Sequence, residues 1–474
     1  MPAKTLKRYS MNESAQRQFA KLSGDWNPVH MDRVQARRTR AGRPIVHGMR
    51  SVLSILETVA QSSKSLCDVS KIAAVFSAPI YVGDTVEVRS EETDHHVHAQ
   101  AHAGGVAAAD LRIECGVTRI RKKSISRMTT DDAMICRALS IADIAGSAGT
   151  VYPAQRLVDV TRRYPNASRW LGSAAAMGLV CISRLVGMEC PGRDSILSGF
   201  TVSVSDDLFE PALSYRVVNL NRQFRAVKLE VAGFGLRGYV EALATNPPTS
   251  QASMSELSAV VRHDEFAGQR ALIVGGSRGL GELTAKIIAS GGGLPVFTYA
   301  LGKGDAERVA MEIREGGGQC EVLRYDVLSS AASQLRGLAR PVATVYYYAT
   351  PSIFERRGTE YDRLSFERFA RFYVRGFEDL CLGLHKRQKS FTAFYPSSIA
   401  VKDNPPGLAE YREAKAAGEA LCATLAHSLD SVRIVFERLP RLLTDQTAAT
   451  IPTTFANTIE TILPIVRKVQ TFAR

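Results

Sequence analysis

No stretch of the 474-residue sequence comes near the roughly 18 consecutive apolar residues of a membrane-spanning helix, which predicts no membrane insertion. The first residues, MPAKTLKRYSMNES, have no apolar core behind their basic side chains, so we expect no secretory signal. The eight cysteines are scattered, with no CxxC pair and no metal-ligand spacing. We therefore expect all eight to pack as small hydrophobic side chains in a reducing cytoplasm, and we expect no metal site.

Acidic residues are fewer than basic ones, since Lys and Arg number 60, Asp and Glu 47, and the formal net charge is +13. Such a surplus suits nucleic acid, a membrane surface, anionic small molecules or acidic protein partners, and charge alone does not choose among them. A hydrophobic share of 45% excludes wholesale disorder. The length predicts about three domains.

Two polar stretches predict the domain boundaries. Residues 121–132 are basic and lack an apolar period, and residues 246–258 are rich in proline and serine and are expected to form a linker. They divide the chain into segments 1–128, 129–250 and 262–474.

The pattern of elements differs between the segments. In the first two, one helix-like run (Val46 to Val59, then Ala174 to Leu185) precedes several strand-like runs, which predicts an α+β fold and an internal structural duplication. In the third, strand-like and helix-like runs alternate, which predicts an α/β, doubly wound parallel sheet.

The third segment opens with the sequence ALIVGGSRGLGELTAKIIA, where Gly275, Gly279 and Gly281 lie between a strand and a helix. Glycines at such a turn let a phosphate approach the backbone and the free amides of a helix N-terminus. The same glycines are also compatible with a tight strand-to-helix turn that binds nothing.

Further along lie Ser398, Tyr411 and Lys415. Tyr411 and Lys415 are four positions apart and share a face if the segment is helical. An ammonium beneath the phenol is expected to lower the pKa of Tyr411, so that tyrosine and a carbonyl or alcohol oxygen exchange a proton, while Ser398 holds the same oxygen.

These motifs together resemble those of the short-chain dehydrogenase/reductase family. The resemblance covers about 200 residues and implies a Rossmann-type fold, catalysis by Ser398, Tyr411 and Lys415, and a set of cofactor-binding residues. That set is Gly275, Ser277, Arg278, Gly279, Gly281, Asp326, Val327, Pro440 and Thr444.

The segment also departs from the family in two places. The family's Asn-Asn-Ala-Gly strand end is replaced by the sequence at 347–350, and Tyr373 replaces the asparagine that completes the family's proton relay. The second strand lacks an acidic residue for a ribose 2′-hydroxyl, whereas Arg278 and Lys303 are available for a 2′-phosphate. This favours NADP(H) over NAD(H), unless both cations are simply solvated.

The first segment contains a second motif, FAKLSGDWNPVHMDRVQA, with Asp25 and His30 on a stretch that Gly24, Asn27 and Pro28 make loop-like. A carboxylate and an imidazole on one constrained loop can hold a water and move a proton at a carbon next to a thioester. The spacing alone equally suits a capping Asp and a hydrogen-bonded His. The following PIVHGM places Gly48 where a helix N–H can stabilise an enolate oxygen.

These residues resemble the signature of MaoC-type (R)-specific enoyl-CoA hydratases, which have the hot-dog fold. The resemblance implies that Asp25 and His30 activate water and that Gly48 contributes the oxyanion contact. It makes 1–128 a MaoC-like hot-dog domain with the dyad, and 129–250 a second, degenerate hot-dog domain that widens the acyl pocket. The expected fold is therefore a double hot-dog half followed by a Rossmann-type domain.

Two polar clusters each have a structural and a functional interpretation. His96, His98 and His102 share one strand face, but without a carboxylate or cysteine pattern we expect a solvated edge rather than a metal site. The basic run Arg37 to Arg43 follows the dyad loop, and either forms a solvated face or contacts CoA phosphates or an acidic acyl carrier protein.

The sequence as a whole predicts a bifunctional enzyme of acyl thioesters, carried on CoA or acyl carrier protein. One part interconverts 2-enoyl and (R)-3-hydroxyacyl thioesters, and the other reduces 3-oxoacyl thioesters with NADP(H). The alternatives are a hydratase with a catalytically degenerate dehydrogenase-like domain, and a non-catalytic scaffold for acyl carrier protein. We expect a cytoplasmic homo-oligomer that binds no nucleic acid.

Overall fold

The computed structural model describes residues 4–63, 66–93, 95–116, 129–205, 210–354, 360–448 and 453–472. The chain divides into two compact units, one of Met1–Pro247 with Ala449–Pro452, the other of Pro248–Ala448 with Thr453–Arg474. Most of the predicted basic boundary, residues 121–128, lies outside the described residues.

The first unit contains one antiparallel sheet of ten strands. In chain order these are β1 Lys4–Ser10, β2 Val69–Phe76, β3 Thr85–Glu92, β4 His96–Ala103, β5 Val106–Cys115, β6 Ala148–Val151, β7 Ser195–Val204, β8 Leu213–Asn221, β9 Ala226–Gly233 and β10 Leu236–Ala244. They lie in the order β1-β3-β4-β5-β2-β7-β10-β9-β8-β6.

The two halves of this sheet have the same strand order. Read from either outer edge inwards, the strands of each half come first, third, fourth, fifth and second along the chain. The halves join where β2 pairs with β7, with Ile72 opposite Val202. The duplication predicted from the order of helices and strands is therefore present as a repeated topology.

Helices cover one face of the sheet. They are α1 Glu13–Ser23, α2 Pro28–Met31, α3 Arg33–Ala36, α4 Gly48–Ser62, α5 Ile141–Ile144, α6 Leu157–Arg163, α7 Pro165–Leu171 and α8 Ser173–Arg184, the last continued by a π-helical turn at Leu185–Glu189. The long helices α4 and α8 are lined with buried apolar side chains, and one hydrophobic core includes residues of both halves. Alternation along the strands places the other side chains outside, as in β4, where His98 and His102 flank buried Ala99 and Ala101.

The cysteine prediction is wrong at two positions, because Cys67 and Cys115 form a disulfide. Antiparallel pairing of β2 with β5 places Val69 opposite Cys115, and the two cysteine Cα atoms lie 5.5 Å apart. The pair is separated by 48 residues along the chain, so no local spacing could indicate it. The other six cysteines are unpaired.

The second unit contains a parallel sheet of six strands. They are β11 Arg270–Val274, β12 Leu294–Tyr299, β13 Glu321–Arg324, β14 Thr344–Tyr347, β15 Phe391–Ser398 and β16 Val432–Leu439. Their order, β13-β12-β11-β14-β15-β16, is the 3-2-1-4-5-6 order of the doubly wound dinucleotide-binding sheet. The predicted α/β parallel architecture of this segment is confirmed.

Nine helices of the second unit lie among the described residues. They are α9 Met254–Ser258, α10 Gly279–Ser290, α11 Lys303–Glu315, α12 Ala331–Gln334, α13 Arg363–Ala370, α14 Gly376–Gln388, α15 Ala400–Asp403, α16 Ala409–Ser428 and α17 Thr458–Thr471. A π-helical turn, Arg371–Arg375, connects α13 with α14.

The prediction of a linker over 246–258 is wrong for its last five residues. Residues Met254–Ser258 form α9, because Ser253 and Glu256 make a capping box and the apolar Met254 and Leu257 are buried.

Within the described residues, no single helix has the length and apolar composition to cross a membrane. Only Pro165–Leu171 and Ser173–Glu189 taken together meet those criteria, and they are bent by 111°.

Candidate active sites

The dyad loop of the first unit is fixed at both ends by backbone capping. Helix α1 ends at Gly24, whose φ of 73° is left-handed and favours glycine. Helix α2 begins at Pro28, and the side chain of Asn27 accepts a hydrogen bond from the N–H of Val29. Asp25 therefore lies on a short, constrained loop, whereas His30, predicted on the same loop-like stretch, lies in the one-turn helix α2 that follows.

Asp25 and His30 face each other at the end of this loop. Asp25 is 1% exposed, and its Oδ2 lies 3.9 Å from Nε2 of His30. The other ring nitrogen, Nδ1, lies 2.9 Å from the carbonyl oxygen of Ile45. A carbonyl only accepts, so Nδ1 carries the proton and Nε2 presents its lone pair to the carboxyl group. A gap of 3.9 Å suits a water that bonds to both groups.

Residues of the second predicted segment complete the surroundings of Asp25. The hydroxyl of Ser183, on α8, donates to Oδ2 at 2.7 Å, and the N–H of Asn27 donates to Oδ1 at 3.2 Å. A Cβ at Gly187 would lie 2.3 Å from Oδ1, so only glycine leaves room for the carboxyl group. Burial raises the pKa of Asp25, while His30, whenever it is protonated, and the Ser183 hydrogen bond oppose that shift.

His47 is a neighbour that the sequence reasoning missed, although it lies inside the PIVHGM motif. Its ring is fully buried, with its centroid 4.0 Å from that of His30, and its Nε2 lies 3.0 Å from the carbonyl oxygen of Asp25. Burial holds the pKa of His47 well below its usual range, so the ring is neutral.

Asp25, His30 and His47 offer ligand atoms within 4.8 Å of one another, and they are the only such group among the described residues. Hydrogen bonds to backbone carbonyls already occupy one nitrogen of each histidine. These donors fit a proton-transfer site better than a closed metal site. The absence of a metal stays a prediction.

Gly48 is the first residue of α4, where the N–H groups have no intrahelical acceptor. A Cβ there would lie 3.0 Å from the ring of Phe76 and 3.2 Å from Leu197. Glycine therefore lets these two apolar side chains pack closely against the start of α4, and the oxyanion contact of its N–H stays a prediction.

The second half has no equivalent dyad, because residues 129–250 contain no histidine. Pro165 begins α7 as Pro28 begins α2.

In the second unit, the predicted glycines form the turn between β11 and α10. Gly275 has φ of 82°, and a Cβ there would lie 2.9 Å from the backbone of Tyr348 and Ala349. A Cβ at Gly281 would lie 2.3 Å from the carbonyl oxygen of Gly275. The turn therefore depends on glycine and leads directly into the N-terminus of α10, where free backbone amides can bind a phosphate.

The other predicted cofactor residues surround this turn in part. Ser277 is buried, and Thr444 lies 3.8 Å from where a Cβ of Gly279 would be. Arg278 precedes α10, and its Nη1 lies 3.4 Å from Oδ2 of Asp445. Lys303 begins α11 and is largely exposed beside Glu307, with Nζ 3.5 Å from its carboxylate.

Asp326 and Val327 follow β13, at the same edge of the sheet as the glycine turn. The backbone N–H of Asp326 donates to the side chain of Gln334 at 2.7 Å, and Oδ1 of Asp326 accepts from the N–H of Leu328 at 3.0 Å. Local hydrogen bonds thus fix the loop in which the family resemblance places the adenine.

Ser398 ends β15, and Tyr411 and Lys415 lie one turn apart on α16. Burial raises the pKa of Tyr411, and a hydrogen bond with Ser398 opposes that rise. Nζ of Lys415 lies 6.0 Å from the centre of the Tyr411 ring and donates to the carbonyl of Pro396 at 2.6 Å. The expected lowering of the Tyr411 pKa by Lys415 is therefore wrong, because the amine is directed elsewhere.

Tyr373 occupies the place between these groups. The amine of Lys415 lies 3.9 Å from the centre of its ring, and its hydroxyl lies 2.6 Å from Oγ1 of Thr350. Tyr373 belongs to the π-helical turn, where Phe372 accepts a hydrogen bond at 2.6 Å from the hydroxyl of Tyr347. Burial lowers the pKa of Lys415 to about 7.

The histidine cluster of β4 has a carboxylate partner that the sequence did not reveal. Nε2 of His98 lies 2.7 Å from Asp110 on β5, and the amide of Gln100 donates to the same oxygen at 2.7 Å. The cluster forms a hydrogen-bonded outer face.

Comparisons with known proteins match this chain to two kinds of protein. The model of the MaoC like domain matches residues 1–110. The (R)-specific enoyl-CoA hydratase of Aeromonas caviae is 38% identical over 93 residues, which cover 19% of this chain and 67% of that protein. The mouse peroxisomal multifunctional enzyme type 2 is 32% identical over 98 residues, or 19% of this chain and 12% of the enzyme.

Other proteins that match this chain are oxidoreductases. An uncharacterised oxidoreductase of Mycobacterium tuberculosis is 29% identical over 217 residues, which are 43% of this chain and 62% of that protein. A crystal structure of gluconate 5-dehydrogenase from Burkholderia cenocepacia, solved with NADP and tartrate, aligns at 18% identity and a TM-score of 0.35 over 39% of this chain and 76% of that one.

The chain thus spans 12% of the mouse enzyme and less than two thirds of the mycobacterial oxidoreductase. It covers 67% of the bacterial hydratase. The chain belongs, through residues 1–110, to the MaoC-like family that includes the (R)-specific enoyl-CoA hydratases.

Proposed function

We propose that this protein is a bifunctional enzyme of acyl thioesters, which hydrates or dehydrates at one site and reduces at another. The observation that carries the first activity is the pairing of Asp25 with a His30 whose tautomer is fixed. Nδ1 is committed to the carbonyl of Ile45 at 2.9 Å, which leaves Nε2 facing the carboxyl group at 3.9 Å.

In the hydration direction, the lone pair of His30 Nε2 accepts a proton from water as the oxygen adds to C3 of the enoyl thioester. The carboxyl group of Asp25, whose pKa burial raises, is suited to deliver a proton to C2. The N–H of Gly48 at the start of α4 stabilises the enolate oxygen formed between these steps. Dehydration of an (R)-3-hydroxyacyl thioester follows the same steps in reverse.

The ten-stranded sheet supports a double hot-dog arrangement, with the active domain at 1–128 and a degenerate one at 129–250. Both halves have the same strand order and a long central helix. The second half lacks the dyad but supplies Ser183 and Gly187 to the environment of Asp25. Its role is therefore to complete the active site and to border the acyl chain.

The hydration site is tested with crotonyl-CoA. We expect Asp25→Asn and His30→Ala to abolish hydration while the circular dichroism spectrum is unchanged. The matched control is His98→Ala, because His98 lies on the outer face of β4. If either dyad variant retains near-normal activity, the assignment of the dyad is wrong.

The second activity is reduction of 3-oxoacyl thioesters with NADP(H) by the domain at 262–474. The glycine turn that a Cβ would fill fits a dinucleotide phosphate, with Gly275, Ser277, Arg278, Gly279, Gly281 and Thr444 around it. The bound nicotinamide supplies hydride. Tyr411, supported by Ser398, moves a proton at the carbonyl oxygen of the substrate.

The choice of NADP(H) over NAD(H) rests on charge. The sequence after β12, Ala300-Leu301-Gly302, offers no carboxylate to a ribose 2′-hydroxyl, and Lys303 and Arg278 lie at this end of the sheet. Fluorescence titration with both cofactors tests this choice. Tighter binding of NADH would contradict it.

The two reactions share the 3-hydroxyacyl thioester, which gives the fusion a chemical rationale. Reduction of the 3-oxo group followed by loss of water is the direction that NADPH favours. The basic run Arg37 to Arg43 follows the dyad loop and provides a surface for the phosphates of CoA or for an acidic carrier protein. Parallel assays with CoA and carrier-protein thioesters distinguish the two carriers.

A second candidate is a hydratase whose dehydrogenase-like domain binds cofactor without turnover. The contacts of Lys415 favour it, because its amine lies against the ring of Tyr373 and the carbonyl of Pro396. The reductase is supported if the wild type oxidises NADPH with acetoacetyl-CoA and Tyr411→Phe does not. The control Tyr361→Phe, at an exposed tyrosine, should keep this activity. Binding of NADPH without oxidation by any 3-oxoacyl thioester supports the second candidate.

A further inference from the structure

Two buried polar residues next to the hydration site have no role in the chemistry proposed so far. Gln16 on α1 is 1% exposed, and Arg50 on α4 is 4% exposed. We propose that Gln16, oriented by Arg50, is a positioning residue that fixes the carbonyl of Ile45 and thereby the tautomer of His30. This inference rests on the proposed hydration reaction.

The contacts run in one unbroken series from Arg50 to His30. Nη1 of Arg50 donates to Oε1 of Gln16 at 2.9 Å, and Nε2 of Gln16 donates to the carbonyl of Ile45 at 2.9 Å. The same carbonyl receives Nδ1–H of His30 at 2.9 Å. Gln16 also reaches the backbone carbonyl of His30 at 3.4 Å, so its amide joins both sides of the dyad loop.

Arg50 determines which end of the Gln16 amide meets the loop. A guanidinium only donates, so it can bond only to the oxygen of the amide. That requirement turns the NH₂ end towards the two carbonyls, where an amide oxygen would be repelled. Without Arg50, the Gln16 amide loses the group that selects between its two possible orientations.

The hydrogen bond to Nδ1 of His30 depends on the direction of the Ile45 carbonyl. Its N–H donates to the carbonyl of Val29 at 3.2 Å, and it forms an isolated antiparallel bridge with Tyr81. These contacts hold the strand-like segment but not the direction of its carbonyl relative to the ring. The second donor, Gln16, holds the oxygen where His30 needs it, which keeps Nε2 free to accept a proton.

Burying the polar side chains of Gln16 and Arg50 costs desolvation free energy, and that cost argues for a specific role. Burial lowers the pKa of Arg50, and its surroundings include the phenols of Tyr9 and Tyr164 and the second cation of Arg163. The groups that face His30 are Asp25 on its own loop and His47 before α4. An apolar pair in place of Gln16 and Arg50 would avoid the desolvation cost but could not orient the carbonyl.

The sharpest variant is Gln16→Glu, because it keeps the shape and the contact with Arg50 but cannot donate to Ile45. We expect kcat for crotonyl-CoA hydration to fall about tenfold or more with KM within about twofold, since a positioning residue acts on His30 rather than on substrate. Arg50→Leu should have a similar effect. The exposed Gln18→Leu, on the same helix, is the control.

A spectroscopic readout separates positioning from simple destabilisation. With ¹⁵N-labelled histidine, assigned by comparison with His30→Ala, wild type should show the Nδ1–H tautomer of His30. Gln16→Glu and Arg50→Leu should show a mixture of tautomers, and the two changes combined should show no more than either alone.

The inference is overturned if Gln16→Glu keeps both the wild-type kcat and the Nδ1–H tautomer. It is equally overturned if activity falls but the tautomer is unchanged, because the residue then acts by another route. If the wild-type protein does not hydrate enoyl thioesters at all, the proposed function fails. The tautomer measurement still decides the role of Gln16.

Discussion

Ser183 provides the sharpest test of the claim that the second half completes the active site. Its hydroxyl donates to Oδ2 of Asp25 at 2.7 Å across 158 residues of sequence, and both groups are buried. A hydrogen bond to a charged group contributes about 1.5–3 kcal/mol. Ser183→Ala removes it from the carboxylate that Asp25 becomes as it delivers its proton to C2.

If the full bond operates in the transition state, kcat/KM should fall roughly 10- to 150-fold, since each 1.36 kcal/mol corresponds to a factor of ten. The pKa of Asp25 should rise further, because a group that stabilises the ionised form is lost. The limb of the pH–rate profile governed by Asp25 should therefore move towards higher pH.

The assay is crotonyl-CoA hydration across pH, with Ser168→Ala as the matched control. Ser168 is also a buried serine of the second half, but its hydroxyl bonds to no group among the described residues. A Ser183→Ala enzyme with kcat/KM within about twofold of wild type and an unchanged pH profile would refute the reasoning.

The other predictions concern stability and the second unit. Burial raises the pKa of Asp25, so its contribution to the free energy of unfolding is present at low pH and is lost as pH rises through the folded-state pKa. In calorimetry, Asp25→Asn should therefore melt at a higher temperature than wild type at neutral pH, but not at acidic pH. Gly281→Ala should abolish NADPH binding in a fluorescence titration, because its Cβ would lie 2.3 Å from a carbonyl oxygen, whereas Gly304→Ala, with nothing within 4 Å, should bind normally. Reduction of the Cys67–Cys115 disulfide should lower the free energy of unfolding by up to about 4 kcal/mol, the loop entropy for a separation of 48 residues, and an unchanged melting temperature with reductant would contradict this.

The sequence predicted those features that depend on residues close together along the chain. The dyad loop was predicted from Gly24, Asn27 and Pro28, and the structure uses the first as a helix C-cap, the second as an N-cap and the third to start α2. Alternation of strands and helices predicted the parallel sheet of the second unit. In both cases, neighbouring residues determine the local geometry.

What the sequence could not predict depends on contacts between distant residues. Ser183 lies on a helix that the sequence did predict, but only the packing of α8 brings it to Asp25. The disulfide depends on the register of β2 with β5. The amine of Lys415 is directed by Pro396 and Tyr373, and no spacing along α16 reveals those partners.

The repeated strand order has a consequence for how this protein can change. In a symmetric homodimer every substitution is made twice, so a residue needed at one site constrains its copy at the other. Here the two halves are parts of one chain, and the second half, residues 129–250, contains no histidine that could form a second dyad. One half can therefore be reshaped for a longer or bulkier acyl chain while the half that carries the dyad keeps its sequence.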